Sequence, residues 1–116
     1  MYTAIIEEHF KASHTVDDIF PVAHSHDWVI RLCLKSETLI APGVIVDYFE
    51  LKILLEKSLP PSGEDIGKWS GVSPTAENLA KYFYEQLKPT LPKLSSVSVG
   101  EFPSFLCEYT PNELHL

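Results

Sequence analysis

Three of the five histidines in this 116-residue chain, His14, His24 and His26, fall within thirteen residues of one another. Side chains at positions i and i+2 of a β-strand leave the same face, so His24 and His26 point the same way if this segment is extended. Two imidazoles placed like this lie close enough to bind one metal ion. The placement of these histidines on one face of a strand constrains the fold more than any other feature of the sequence.

Apolar and polar residues alternate on both sides of the histidines. Between residues 2 and 14 the even positions are mostly apolar, and His14 continues that row. The alternation resumes over 28–35, where the even positions are again apolar, and His24 and His26 belong to the same row. We predict two strands joined by a connection over 15–23, because an antiparallel hairpin would place the end of the first beside the start of the second.

The hairpin brings all three histidines to one end and one face of the predicted sheet. A lone histidine near a strand end is usually a surface or hydrogen-bonded residue, and that is the alternative reading. Three imidazoles that leave a fourth position open suit a catalytic zinc better than a closed structural one. The sequence therefore predicts a Zn²⁺ site with His14, His24 and His26 as ligands.

Two helices are predicted in the middle of the chain. Asp47 precedes Glu50 by three residues, which is typical of a helix N-cap and predicts a helix over about 48–58. A polar loop over 60–73 follows. Ser73 and Pro74 are then predicted to be the N-cap and first residue of the second helix. Its buried stripe is Ala76, Leu79, Ala80, Phe83 and Leu87.

The first turn of the second helix carries Thr75 and Glu77. Both residues suit cap and helix-dipole chemistry, and the alternative is contact with a ligand at the helix N-terminus. Two closing strands follow, in which Glu101 continues an apolar row, and a carboxylate placed there needs a partner. Glu101 either reaches solvent at a strand end or recognises paired N–H donors of a heterocycle.

Composition places the chain among ordinary globular proteins and predicts one domain over residues 1–116, with 45% hydrophobic and 22% charged residues. The net charge of −7 argues against nucleic acid or an anionic membrane surface as a partner. No apolar run approaches about 18 residues, so no membrane-spanning segment is expected. Met1 is followed at once by a strand-like segment, and Cys33 and Cys107 form no C-x-x-C motif. We therefore expect buried structural thiols, no signal peptide and a cytoplasmic location.

The predicted order is strand, strand, helix, helix, strand, strand. Along it lie His14, His24-x-His26, the segment Gly-Val-Ile-Val-Asp-Tyr at 43–48, the segment Pro-Thr-Ala-Glu-Asn at 74–78, and Glu101. Over about residues 3–109, this arrangement resembles the family of 6-pyruvoyltetrahydropterin synthase and its bacterial relative 6-carboxytetrahydropterin synthase. The resemblance implies an α+β T-fold, with an antiparallel four-stranded sheet and two helices on one face. It also implies a homo-oligomeric barrel, commonly a hexamer of two trimers.

The same resemblance implies a site and an activity. Residues that match His14, His24 and His26 hold zinc in this family, and the residue that matches Glu101 anchors the pterin ring. Thr75 lies in a segment that also touches the pterin. Such sites usually form between subunits. The activity implied is that of a lyase of tetrahydropterin biosynthesis, with a small-molecule pterin as substrate.

The departures from the family pattern concern the acid–base groups. Ser25 replaces a glycine between the paired histidines, and Phe20 stands where the family carries a catalytic cysteine. The family's Asp-His pair has no counterpart, because residues 59–73 contain no histidine. A replacement base could be a water acidified by zinc or one of four carboxylates: Asp17, Asp18, Glu64 and Asp65.

Three functions therefore stay open. The first is a zinc-dependent carbon–oxygen or carbon–carbon lyase that acts on 7,8-dihydroneopterin triphosphate or a related dihydropterin with a non-standard base. The second is a catalytically silent zinc protein that binds a pterin or purine. The third is a structural zinc in an oligomeric scaffold.

Overall fold

The computed structural model describes residues 1–16 and 20–112. This part of the chain forms an α+β fold, as predicted, with one five-stranded sheet in the order β3-β1-β2-β4-β5. β3 is parallel to β1 and the other neighbours are antiparallel. The elements in chain order are β1 (Tyr2–Val16), β2 (Phe20–Ser36), α1 (Tyr48–Ser58), β3 (Glu64–Asp65), α2 (Ile66–Ser70), α3 (Ala76–Leu87), β4 (Leu94–Phe102) and β5 (Phe105–Tyr109).

The prediction of a four-stranded, purely antiparallel sheet with two helices was wrong in its counts. The additional strand β3 and the additional helix α2 both lie in the segment that we predicted to be a polar loop. They are two and five residues long, which is too short for an apolar period to show in the sequence. Asp65 starts α2 by accepting a hydrogen bond from the backbone N of Lys68 at 3.0 Å.

The β1–β2 hairpin is confirmed, but the connection is shorter than predicted. β1 continues to Val16 and β2 begins at Phe20. Between the pairs His14–His24 and Val16–Phe20, β1 contributes one residue and β2 contributes three. This irregularity interrupts the alternation of apolar and polar residues, so the sequence alone does not reveal that pairing continues beyond the histidines.

The core lies between the helices and the face of the sheet that carries the even positions of β1 and β2. Trp28 is fully buried there, stacks on Phe10 with ring centroids 6.2 Å apart, and donates its indole N–H to the carbonyl oxygen of Ala12 at 3.1 Å. Phe83 of α3 packs edge-on against Phe10. The ring of His14 lies 4.9 Å from the ring of Trp28, so the core supports the histidines directly.

The helix starts were predicted correctly for α1 and wrongly for α3. Asp47 caps α1 by accepting from the backbone N of Phe49 at 2.9 Å and of Glu50 at 3.2 Å. The cap of α3 is Thr75, and not Ser73, because the Thr75 hydroxyl accepts from the backbone N of Asn78 at 3.2 Å. The start at Ala76 leaves Pro74 outside the helix.

The two cysteines lie within strands, as predicted, but both are partly exposed and not fully buried. Burial raises the pKa of the Cys107 thiol above its ordinary value, and the nearby Glu77 raises it further. A thiol that stays protonated is a weak nucleophile. In the described ranges, no helix is long and apolar enough to cross a membrane.

Gly100 allows the close approach of β4 and β5 just before Glu101. A Cβ atom at this position would overlap the carbonyl oxygen of Phe105, which is backbone and has little freedom to move. The pairing of β4 with β5 also shifts register between Val99 and Phe102. The glycine therefore fixes the path by which the chain reaches Glu101.

We predict that Gly100→Ala lowers the free energy of unfolding by about 1–3 kcal/mol, because the added methyl group forces β5 away from β4. Urea denaturation followed by far-UV circular dichroism measures this change. Ser98→Ala on the same strand is the control, since it adds no atoms. An unfolding midpoint for Gly100→Ala equal to that of the control would contradict the packing described for this hairpin.

Candidate metal centre

Three histidines meet on the core face at one end of the β1–β2 hairpin. His14 on β1 lies directly opposite His24 on β2, and His26 follows on the same face of β2. One ligand nitrogen of each lies within 4.8 Å of the others. The ring centroids are 4.3 Å, 5.1 Å and 4.8 Å apart for the pairs 14–24, 14–26 and 24–26. The convergence predicted from the positions of the histidines is therefore present in the fold.

His14 is fully buried, and one hydrogen bond fixes its orientation. Its Nδ1 lies 2.9 Å from the carbonyl oxygen of Pro74. A carbonyl only accepts hydrogen bonds, so Nδ1 carries the proton and Nε2 presents a lone pair toward the other histidines. Metal-binding histidines commonly have such a partner on their second nitrogen, because it sets both the tautomer and the ring orientation.

The Pro74 carbonyl is available because α3 begins two residues later than the sequence suggested. Had Ser73 capped the helix, the Pro74 carbonyl would accept a bond within the helix. Pro74 is also held from the other side by α2. A Cβ atom on Gly67 would lie 3.2 Å from Cγ of Pro74, so the absence of a side chain there permits this packing.

The second contact within the triad joins Nε2 of His14 and Nε2 of His24, which are 2.8 Å apart. Because Nε2 of His14 is the unprotonated nitrogen, His24 donates in this arrangement. A metal ion bound at this point would replace that proton, as happens when metal ions bind to protonated ligands in general.

The surroundings of His26 favour its neutral form, which is the form that binds metal ions. Burial lowers the pKa of His26 below its ordinary value of 6.5; the charge of Glu101 opposes this change, and His14 and His24 add to it. Nε2 of His26 is buried and makes no hydrogen bond within the described ranges. An orphaned imidazole nitrogen aimed at two other imidazoles fits a site for a transition metal.

Glu101 lies beside the triad. Its Oε2 is 3.3 Å from Nε2 of His26, and its Oε1 is 3.6 Å from Nε2 of His14. Its side chain is 32% exposed, so one side of the carboxylate faces the histidines and the other is open to solvent. The partner that the sequence required for this carboxylate is therefore the histidine cluster.

Thr75 lies one residue after Pro74, at the start of α3. Its hydroxyl accepts the capping hydrogen bond from the backbone N of Asn78. The cap chemistry considered for Thr75 is thus confirmed. The contact with a pterin stays a prediction.

The candidate bases are less well placed than the metal ligands. Asp17 and Asp18 lie outside the described residues. Glu64 is exposed and pairs with Ala12 of β1, while Oδ1 of Asp65 is already occupied as the cap of α2. All four stay predictions.

Sequence reasoning missed two supports of the site. Trp28, which packs beneath His14 and His26, could have been found, because it continues the even row two residues after His26. The carbonyl of Pro74 could not, because it lies sixty residues from His14 and a backbone acceptor leaves no mark in the sequence.

The fold and the site together define an α+β protein with a histidine triad able to hold a metal ion. The family model for 6-pyruvoyl tetrahydropterin synthase matches residues 3–112, so the chain belongs to this family. The resemblance drawn from the sequence is thereby confirmed.

Solved structures show the same T-fold. The 6-pyruvoyl tetrahydropterin synthase of Caenorhabditis elegans superposes with a TM-score of 0.83 at 21% identity, covering 96% of each chain. An uncharacterized protein of Wolinella succinogenes gives 0.78 at 16% identity, over 96% of this chain and 98% of that one. The 6-pyruvoyl tetrahydropterin synthase of Plasmodium vivax gives 0.63 at 15% identity, over 97% and 100%.

We predict that the chelator-treated protein loses stability on acidification through His26. A histidine whose pKa is lowered on folding contributes stability above its unfolded pKa of about 6.5, and this is lost as the pH falls through the lower folded value. The free energy of unfolding should therefore decline from about pH 7 to pH 5. His26→Gln should make the decline shallower.

The control is His9→Gln. His9 lies on the opposite face of β1 and bonds to Glu7, so this variant should keep the decline. Urea melts at each pH measure the effect. If the free energy of unfolding of His26→Gln declined with falling pH as steeply as that of the unmodified protein, the assignment of this decline to His26 would be contradicted.

Proposed function

We propose that the protein is a zinc-dependent lyase that acts on a dihydropterin, with 7,8-dihydroneopterin triphosphate or a related compound as substrate. The observation that carries this proposal is the convergence of His14, His24 and His26, with Glu101 beside them, in a chain of the 6-pyruvoyltetrahydropterin synthase family. The three histidines would hold the zinc. When bound, zinc would polarise a hydroxyl or carbonyl on the side chain of the pterin.

The protein's own groups would bind and orient the substrate. A carboxylate accepts two parallel N–H bonds, so Glu101 suits the guanidine-like edge of a pterin ring. Glu101 and the triad are adjacent, and a ring held at Glu101 would place its side chain against the histidines. His14 would keep its orientation through Pro74, while Thr75, the next residue, would border the ring.

The group that moves the proton is the open part of this mechanism. A positioned base contributes about 10²–10⁴-fold to rate, and the family's cysteine position is Phe20 here. We propose that a carboxylate replaces it, to be found among Asp17, Asp18, Glu64 and Asp65. Between the two on β3, Glu64 is the better candidate, because Asp65 already caps α2. A base in a new position would allow either an elimination or an aldol-type cleavage of the side chain.

A second candidate function is a catalytically silent zinc protein that binds a pterin or purine. Phe20 and the lack of histidine over 59–73 favour it, because ring binding needs neither the cysteine nor the Asp-His pair. The retained triad argues for the lyase, since binding a flat ring requires no metal.

We also propose a homo-oligomer, a hexamer of two trimers, in the cytoplasm. The support is the exposed edge of the sheet. β5 is an edge strand; Phe105 at its start is 61% exposed, and Phe102 at the end of the neighbouring β4 is 48% exposed. Unpaired strand edges and exposed aromatic side chains are typical of surfaces that pair with another chain.

Incubation of the zinc-loaded protein with 7,8-dihydroneopterin triphosphate tests the lyase proposal, with phosphate release and pterin products both followed. We expect turnover that falls about 10²–10⁴-fold in the variant that lacks the base, with Glu64→Gln tested first. Glu85→Gln, on the exposed side of α3, is the control and should keep full turnover.

Two outcomes separate the alternatives. Pterin binding without any product would overturn the lyase and favour the silent binder. Failure to bind a pterin at all would contradict both functions.

A further inference from the structure

The carboxylate of Glu101 faces a nitrogen atom of His14 that has no proton to give it. Nε2 of His14 is unprotonated, because Nδ1 donates to the Pro74 carbonyl, yet Oε1 of Glu101 lies only 3.6 Å from this nitrogen. A carboxylate oxygen and an imidazole lone pair at this distance repel each other, and a cation bound to both would replace that repulsion with attraction. The arrangement therefore suits a shared cation better than it suits the two groups alone.

The contact with His26 leads to the same conclusion. Oε2 of Glu101 lies 3.3 Å from Nε2 of His26, but the pair lacks the geometry of a hydrogen bond, and this buried nitrogen has no other hydrogen-bond partner in the described part of the chain. Two polar atoms that are close without being aimed at each other are typical of two ligands of one ion. Around a tetrahedral zinc with bonds of about 2.0–2.2 Å, neighbouring ligand atoms lie about 3.3–3.6 Å apart.

We propose that Glu101 is the fourth ligand of the metal ion and closes the site while no pterin is bound. This inference rests on the proposed zinc site and goes beyond it. The backbone holds Glu101 in place: Gly100 pairs with Val29 of β2, and its missing Cβ admits the carbonyl of Phe105. Three neutral imidazoles and one carboxylate then leave a single positive charge on a divalent ion.

A closed site makes access to the metal depend on the substrate. The carboxylate that binds the metal is the same one that would accept the N–H donors of the pterin ring. When a pterin binds, Glu101 moves from the metal to the ring, and the fourth position opens only with the substrate in place. Small anions from solvent are thereby excluded from the resting site.

Cobalt substitution tests this role with a readout that does not depend on turnover. The visible spectrum of Co²⁺ reports its ligands, and azide serves as the probe for an open position. We expect azide to leave the spectrum of the Co²⁺-loaded protein unchanged. In Glu101→Gln we expect azide to alter the spectrum and Co²⁺ to bind at least about tenfold more weakly, since even an outer-shell partner is worth about 10–100-fold.

Two further variants separate ligation from long-range charge. Asp27→Asn removes the same charge one residue from His26, but Asp27 is exposed on the opposite face of β2, so it should behave like the unmodified protein. Glu101→Asp keeps the negative charge but shortens the side chain by one methylene group. This variant, like Glu101→Gln, should therefore bind Co²⁺ more weakly than the unmodified protein. Far-UV circular dichroism checks that each variant is folded.

The outcomes distinguish this inference from the proposed function. Equal Co²⁺ affinity and an equal azide response in the unmodified protein and in Glu101→Gln would overturn the role of Glu101 and leave the triad intact. Absence of Co²⁺ binding by the unmodified protein would overturn the metal site itself, and the proposed function with it.

Discussion

The cross-strand pairing of His14 with His24 is the constraint on which the rest of the site depends. The two residues are direct partners in the β1–β2 ladder, and His26 faces Ala12 one step further along the same face. A shift of register by one residue would send the two strands' histidines to opposite faces of the sheet. Burial of the even-numbered apolar row opposes such a shift. The hydrogen bond from the Trp28 indole to the carbonyl oxygen of Ala12 also stabilises the observed register beside the triad. The core that stabilises the sheet thus also aligns the three histidines.

The orientation of His14 comes from a different part of the chain. A buried imidazole needs a partner for its N–H group, and His14 finds it in the carbonyl of Pro74. That carbonyl is free because Thr75 caps α3, and it is held in place because Pro74 packs on Gly67 of α2. Loop-like sequence between α1 and α3 therefore contributes the group that fixes the tautomer of a ligand. The register of β1 and β2 brings the imidazole nitrogens of the three histidines together, and the segment that contains Pro74 orients the ring of His14.

The features that could be predicted from the sequence are those that depend on the alternation of apolar and polar residues or on a recognisable helix cap. The alternation in β1 and β2 was enough to place His14, His24 and His26 on one face, and Asp47 was recognisable as a helix cap. β3 and α2 were not predictable in this way, because two and five residues carry no usable period. The start of α3 was ambiguous, since Ser73 and Thr75 are both good caps and Pro74 suits the first helical position. The contact of Glu101 with the triad depends on a register shift between β4 and β5 and on the space left by Gly100. A glycine in a strand signals a turn, a bulge or a close approach, but it does not say which backbone atom approaches or by how much the register shifts.

The function proposed for this member of the 6-pyruvoyltetrahydropterin synthase family involves two sets of groups. One set would bind the metal ion and the pterin, and the other would transfer a proton. The groups that would hold a metal ion and a pterin ring are gathered at one end of the sheet. By the resemblance drawn from the sequence, Phe20 and a segment without histidine stand where the family is expected to carry its acid–base groups. Evolution of a new base beside a retained metal site would change the reaction while keeping the substrate class, and loss of the base would leave a binding protein. Only the first outcome requires the triad, since binding a flat ring requires no metal.

X-ray absorption at the zinc edge of the zinc-loaded protein tests whether His14, His24 and His26 bind the metal ion. We expect a first shell of nitrogen and oxygen donors with outer-shell scattering from three imidazoles, and no sulfur. A sulfur shell, which would point to Cys33 or Cys107, or scattering from fewer than three imidazoles, would contradict it.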